Sequence, residues 1–514
     1  MIHQKPYLIP VLLFLFSSII FWVTQSPIPT NGDTYLYALG VVQLKGPLFH
    51  IGYYFIGNIF NSALSVIYTD PVKNLGLMSL FSGSLSVVWS YLFTKKLTGN
   101  IRISLIVALT LLFSGGLWYY SAHGEVYVPQ LSMVFISILM AVYNRPLLSS
   151  LAFLVAVSIT PTSGLIFPAL IYLIIINGKS RREIFYFLLP VIIIFLFLLI
   201  IKWPKIIQMV DDAVFSPDVF FTNFSYSALF REIFLNLSKV YIKSFNFLIL
   251  FTIPGAFYLY RNNKRILFLV ICILLPFSLY IFNLGLLTED HLIITFIPVS
   301  LIIAFGVIST LDIIKLGDIS RRILILLLLC AHGFLSYQIY IGPELRNSAE
   351  LEKVMTNFSR DYENDGIMIS EYNFGMAFWY YTQKENDYFL RTGRPNLFLD
   401  PGDELYEKKI EQLKNKFWIN LSGNLVDFFT VKLKDKSIFE NRPVYFVDRS
   451  DWPSAIVKNI LPERQLRERE NKIRKIDRFS DYLASVLNSR TSYLQIYDSP
   501  LHPIYQIRLL DPIK

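Results

Sequence analysis

Charge is scarce in this chain. Asp, Glu, Lys and Arg make only 17% of its 514 residues, while 54% are hydrophobic and 16% aromatic, a balance unlike that of a soluble protein of this size. Cysteine is nearly absent. Cys272 and Cys330 are the only two, and both sit inside apolar runs, which excludes a disulfide framework and a thiolate metal site. Also missing are an internal repeat, a low-complexity tract, a Gly-rich phosphate loop and a zinc-ligand spacing.

What the chain has in abundance is apolar length. Segments able to cross a bilayer, roughly 17 to 25 residues of helix, run from Tyr7 to Val23, Val72 to Phe93, Ile103 to Tyr120 and Val128 to Tyr143. Further ones run from Phe185 to Ile201, Phe245 to Tyr260, Ile266 to Leu284, Leu292 to Thr310 and Ile323 to Tyr340. No small-x-small cleavage site follows the first, so it reads as a retained helix and not as a secretory signal. Between Arg145 and Lys179 lies one longer apolar stretch, interrupted by Thr160-Pro161-Thr162-Ser163-Gly164.

Basic residues decide how that stretch is counted. Lys5, Lys95, Lys96, Arg102, Arg145, Lys179, Arg181, Arg182, Arg261, Lys264, Arg265, Lys315, Arg321 and Arg322 fall in alternate short loops, which the positive-inside rule assigns to the cytoplasm. Both ends of the 145–179 stretch are then inside, so an even number of crossings is required. A hairpin of two short helices turning at Pro161 to Gly164 satisfies this. The expectation is a mainly α protein: a polytopic bundle of about eleven transmembrane helices over 1–340, amino terminus inside, followed by an extracytoplasmic α/β domain over 341–514.

The charge ledger agrees with that division. From Ile341 to Lys514 basic and acidic residues balance at 26 each, out of 47 and 38 in the chain, so the net +9 belongs wholly to the first part. There the inner loops hold fourteen basic residues against three acids (Glu183, Asp312, Asp318). The excess is a topology signal and gives no reason to expect a nucleic-acid partner. Two outer loops are long, Thr24 to Pro71 and Lys202 to about Ser244, and the second has the mixed basic and aromatic make-up of an interfacial helix. In the tail, GIMIS (Gly366 to Ser370) and RPVYFV (Arg442 to Val447) read as strands, while Glu404 to Phe417 and Glu463 to Leu487 read as helices. Asn223, Asn236, Asn357 and Asn420 begin sequons at about the frequency chance would give.

Ionisable residues cluster at the outer ends of different helices. They are Asp33 and His50 in the first loop, His123 and Glu125 before Tyr127 in HGEVY, and Glu289, Asp290 and His291 in TEDH. Charge at bilayer depth costs on the order of 3 kcal/mol, so such residues tend to face a cavity and to be functional. Each also has a plainer reading. Asn31-Gly32-Asp33-Thr34 is good turn chemistry, His50 on an aromatic segment suits packing, and Glu125 suits a first helical turn. Lys202 and Lys205, beside Trp203, either anchor the interface or grip a lipid phosphate.

In order, the chain shows an early helix, the Gly32-Asp33 turn, a Pro and aromatic stretch near Pro47 and His50, and Phe113-Ser-Gly-Gly-Leu-Trp-Tyr-Tyr120 before Glu125-Val126-Tyr127. The Thr160-Pro161-Thr162 hairpin and an acidic opening to a late helix follow. This series resembles the GT-C superfamily of polyprenyl-phosphate-sugar glycosyltransferases, most of all its protein O-mannosyltransferase-like branch. The resemblance spans about Tyr7 to Leu311. It weakens in the tail, where GIMISEYNFGMAFWYY (Gly366 to Tyr381) looks like the strand-loop-helix that opens that branch's outer domain.

The resemblance implies an inverting transfer at the outer face of the plasma membrane, from a polyprenyl-phosphate-sugar donor in the lipid to a hydroxyl of a protein, lipid or glycan acceptor. Asp33 would be the base. His50, His123, Glu125, Tyr127, Glu289, Asp290 and His291 would line the donor or acceptor pocket, and Lys205 would hold the phosphate. Such chemistry needs a carboxylate within hydrogen-bond reach of the alcohol and positive charge where the phosphate leaves. The chain departs from the pattern twice: Asp33 has no second acid beside it, and His291 stands after Asp290 where an Arg is common. A divalent cation is therefore the one cofactor to test for, and no metal ligand is assigned. The competing readings are a transporter or flippase of lipid-linked glycans, which would show two related halves and mid-membrane charge, and a non-catalytic membrane assembly protein.

Overall fold

The computed structural model describes residues 7–44, 50–178, 181–194, 196, 238–284, 289–315 and 317–361, and beyond these 367–371, 377, 380–381, 388–390, 444–447, 491–497 and 504–509. The protein is mainly helical and forms two compact units. One comprises Met1–Gln25 and Tyr37–Pro343, the other Ser26–Leu36 and Glu344–Lys514.

Elements of the first unit begin and end where local chemistry dictates. Helices α1 (Leu8–Val23), α2 (Gly32–Gln43) and α3 (Ile51–Leu64) are followed by α4 (Pro71–Thr98), so the long first loop is largely helical. The Asp70 side chain accepts the Val72 N–H at 3.0 Å, and Pro71 occupies the first helical position, where a missing N–H costs nothing. Gly99, at φ +68°, ends α4 in the left-handed conformation that suits glycine. Asn100 then caps α5 (Ile101–Leu112) through the Arg102 and Ile103 amides.

The expected span from Ile103 to Tyr120 is bent by 61° into α5 and α6 (Gly115–Ser121). Ser114, with ψ 130°, is extended and breaks the helical ladder there. Helices α7 (Tyr127–Val142), α8 (Pro146–Ile159) and α9 (Phe167–Asn177) follow. The interruption after α8 falls at Thr160, which is extended before Pro161 (φ −153°, ψ 124°), as the residue preceding a proline prefers. A 3₁₀ turn, Pro161–Ile166, bridges the gap. The Gln130 amide on α7 donates to the Thr162 and Ser163 hydroxyls there, at 2.8 and 2.9 Å.

After the helical residues 181–194, a helix over Ser238–Asn262 contains a 3₁₀ segment and ends in α10 (Thr252–Asn262). Then come α11 (Lys264–Leu284), the short α12 (Glu289–Leu292), α13 (Phe296–Ile314) and α14 (Asp318–Ser336). Helices α10 and α13 cross through Gly255 and Gly306. A β-carbon on Gly306 would run into the Phe251 carbonyl, and one on Gly255 into the Ile302 carbonyl. Such close backbone approach is how helices associate where no hydrophobic effect drives them together.

Four described helices are long and apolar enough to cross a membrane, five if the bent pair counts as one span. Shorter apolar helices lie at Leu8–Val23, Tyr127–Val142, Pro146–Ile159 and Pro161–Asn177. This is the make-up of a multi-pass membrane protein.

The expected last span stops at Tyr340, yet the helix does not. From α14 the chain passes through a π-helical turn, Tyr337–Ile341, into α15 (Gly342–Asp361). A π turn takes in an extra residue without breaking the helix, so the helix runs on past the expected end of the span. Beyond it, β1 (Ile367–Glu371) and β3 (Val444–Val447) fall on the expected runs, with β2 (Tyr388–Leu390), β4 (Thr491–Tyr497) and β5 (Ile504–Leu509). The sheet order is β2-β1-β3-β5-β4. Strand β1 runs parallel to β2 and β3, and β5 antiparallel to β3 and β4. The expected tail helices, the loop over 202–237 with Lys205, and Asn223, Asn236 and Asn420 lie outside the described residues.

Candidate active site

Asp33 belongs to the second unit. It sits half-buried in the first turn of α2, and its N–H donates to the Asn31 Oδ1 at 3.0 Å, so Asn31 caps the helix as Asn commonly does. Upstream, the loop is bonded along its backbone. The Tyr35 hydroxyl donates to the Pro29 carbonyl at 2.6 Å, the Ile28 N–H donates to the Ser348 Oγ at 3.0 Å, and the Thr30 N–H donates to Glu344 at 3.2 Å. The Tyr35 ring, fully buried, packs against Tyr380 and Tyr381 with centroids 5.4 and 5.8 Å away.

The other candidates belong to the first unit. His50 is buried, and its Nδ1 lies 2.7 Å from the Ile159 carbonyl. A carbonyl only accepts, so Nδ1 carries the proton. Ile159 ends α8 just before the Pro161 interruption, and the imidazole takes up a carbonyl that the broken helix leaves over. The Tyr37 ring meets the His50 ring edge-on at 5.8 Å.

His123 is buried and stacks on Tyr119 at 4.3 Å, its Nδ1 2.7 Å from the Tyr119 carbonyl. Glu125 is only 2% exposed. Its N–H donates to the His123 carbonyl at 2.9 Å, and to the Ser79 Oγ at 3.3 Å. The Tyr53 hydroxyl donates to the Gly124 carbonyl at 3.1 Å. Burial pushes the Tyr53 hydroxyl well above its ordinary pKa, with the nearby Glu125 and Tyr54 adding to the rise, so this group stays a donor. Tyr127 packs between Tyr120 at 6.3 Å and His291 at 5.4 Å.

Residues from the segment His50–Tyr54, the HGEVY loop and the TEDH motif thus come together within one unit, through Tyr53 on Gly124 and Tyr127 on His291. Glu289 and Asp290 lie in α12, their side chains outside the described residues. Sequence reasoning passed over a further cation, Lys243. Its Nζ stands 4.4 Å over the Tyr340 ring, a cation–π contact. Tyr340 in turn lies 6.5 Å from Tyr119 and 3.4 Å from the Ser244 hydroxyl. The readable signal was the pair Lys239 and Lys243 just ahead of the apolar run that starts at Phe245. Glu344 and Ser348 were passed over too. Among the described residues no three His, Cys, Asp or Glu side chains converge as a metal site would require.

No family model matches the chain. The protein O-mannosyl-transferase tmem260 of Dictyostelium discoideum is 31% identical over 137 residues, which is 25% of this chain and only 16% of that relative's length. Among solved structures, ArnT from Cupriavidus metallidurans bound to undecaprenyl phosphate matches with a TM-score of 0.52 at 9% identity, covering 98% of both chains. The oligosaccharyltransferase AglB from Archaeoglobus fulgidus, in complex with an inhibitory peptide and a dolichol-phosphate, matches at 0.50 and 11% identity over 89% of this chain and 71% of its own. At such identities the structural likeness is one of fold.

Proposed function

From a chain that has the fold of the GT-C superfamily and resembles its O-mannosyltransferase-like branch, we propose an integral membrane glycosyltransferase that moves a sugar from a polyprenyl-phosphate donor to an acceptor hydroxyl, with inversion. The observation that carries this reading is Asp33, an acid set in the first turn of α2 on a loop whose backbone is bonded from Ile28 to Asp33. A carboxylate held this way is suited to take a proton from a positioned alcohol. The acceptor oxygen forms its bond to the anomeric carbon as its proton passes to Asp33. The bond from that carbon to the phosphate oxygen breaks, and the polyprenyl phosphate leaves with the electron pair.

The departing phosphate needs positive charge. Lys205 serves in this reading, joined by Lys243. His50, His123, Glu125, Tyr127, Glu289, Asp290 and His291 serve as substrate-binding groups, with a protein, lipid or glycan as acceptor. Residues 1–340 form the catalytic membrane domain, with about eleven crossings and the amino terminus inside. Residues 341–514 form an extracytoplasmic α/β domain at the plasma membrane.

The test replaces Asp33 by Asn in cells, with polyprenyl-phosphate sugars extracted and identified by mass spectrometry and envelope glycans followed by incorporation of labelled glucose carbon. Expected is a protein made at the normal level, accumulation of one lipid-phosphate sugar and loss of one glycan, transfer falling by about 10²-fold or more. Unchanged donor pools and glycans would refute the role of Asp33.

A further inference from the structure

Glu344 and Ser348 lie one helical turn apart on α15, so both face the same side. Both are buried, at 7% and 0% exposure, and what they touch is the segment Ser26–Thr30. The Glu344 carboxylate accepts from the Thr30 hydroxyl at 2.6 Å, from the Thr30 N–H at 3.2 Å and from the Ser26 hydroxyl at 3.4 Å. The Ser348 hydroxyl accepts the Ile28 N–H at 3.0 Å and donates to the Ile28 carbonyl at 2.6 Å. Ser348 thereby does for Ile28 what a neighbouring β-strand would do, satisfying donor and acceptor of one residue.

Burying a carboxylate is costly unless it is bonded, and an apolar side chain would have been enough to pack a loop. Apolar contact, however, lets an extended segment slide. Hydrogen bonds to alternate residues set its register, and the register at Thr30 determines where Asp33 stands three residues on. Tyr35, two residues beyond Asp33, is fastened at the other side by Pro29, Tyr380 and Tyr381. The loop is therefore held on both sides of the acid by residues of its own unit, of which Glu344, Ser348, Tyr380 and Tyr381 come from beyond position 340.

We infer that Glu344 and Ser348 are positioning residues for Asp33, and that a task of the tail is to hold the acid's loop in register. The inference rests on Asp33 being the base, and it is tested in two independent measurements. Amide hydrogen exchange on the purified full chain in dodecyl maltoside reads the loop directly. The cellular assay of donor accumulation and labelled-glucose incorporation reads transfer.

In Glu344→Ala and Ser348→Val the amides of Ile28 and Thr30 exchange about tenfold faster or more, while the α13 amides keep wild-type rates as a folding control. Asp33→Asn leaves the loop amides slow. Transfer falls about tenfold in Glu344→Ala, with the same lipid-phosphate sugar accumulating as in Asp33→Asn, and Glu344→Gln, which keeps an acceptor, recovers part of both losses. Wild-type exchange in both α15 variants overturns the anchoring whatever Asp33 does. Fast exchange with wild-type transfer overturns the positioning role. Full transfer by Asp33→Asn overturns the reading of Asp33 as base, and the exchange result still reports on the anchoring.

Discussion

The helix bundle and the loop carrying Asp33 hold their groups in place by different means. In the bundle, position comes from volume: Gly255 and Gly306 let two backbones meet, and Gly115 leaves room for the Tyr340 ring that carries Lys243. In the loop, position comes from side chains bonded to backbone, through Glu344, Ser348, Tyr35 and Asn31. Bundle geometry should therefore fail when atoms are added and loop geometry when acceptors are removed. Helices in a membrane interior gain much of their association from close packing. A loop of extended backbone leaves donors and acceptors that packing alone does not satisfy, and it needs bonded partners for them.

The largest effect expected is Gly306→Val. Its added carbons meet the Phe251 carbonyl, and overpacking against backbone costs about 1–3 kcal/mol or more. Size-exclusion chromatography of the solubilised protein should show aggregate in place of a single peak, and a monodisperse, wild-type-like peak would break the volume argument. Gly115→Ala comes next. Its methyl group displaces the Tyr340 ring and with it Lys243, and transfer should fall by about 10²-fold, as misplacement on the ångström scale can cause. The folded peak should persist. Pairing it with Tyr340→Leu should relieve the clash without restoring transfer, and full recovery in the pair would show the ring to be dispensable.

The smallest effect, and the one that sharpens the comparison most, is Asn31→Ala. Losing the cap on α2 costs about 1 kcal/mol, so transfer should drop roughly fivefold with little change in melting temperature. Asn31→Ser should restore it. A large fall in melting temperature with no loss of transfer would place the loop on the bundle's side of the comparison.

Much of the fold was legible because apolar length, proline and strand-forming runs act locally. The first span, the interruption at Thr160-Pro161, and strands β1 and β3 all stand where their residue patterns put them. The bend at Ser114 was passed over, although Ser114-Gly115-Gly116 interrupts the apolar run there and is itself a turn signal. The end of the last span was hidden: Tyr340 looks like a terminus by polarity, but the helical ladder runs on through a π turn. In the candidate site, HGEVY and TEDH carried their own signals. Lys243 carried a faint one, and Glu344 carried none, because 314 residues separate it from the Thr30 it binds.

The sequence by itself determined that this chain is a mainly helical membrane protein resembling the GT-C superfamily, with turn chemistry at Asn31-Gly32-Asp33, because hydrophobic length, caps and prolines act on their near neighbours. Only the tertiary structure decided which distant groups meet: Tyr127 with His291, Lys243 with Tyr340, and the Asp33 loop with α15 of the tail. Those pairings depend on how helices pack and where a buried carboxylate finds its donors, and neither leaves a mark in any local window of residues.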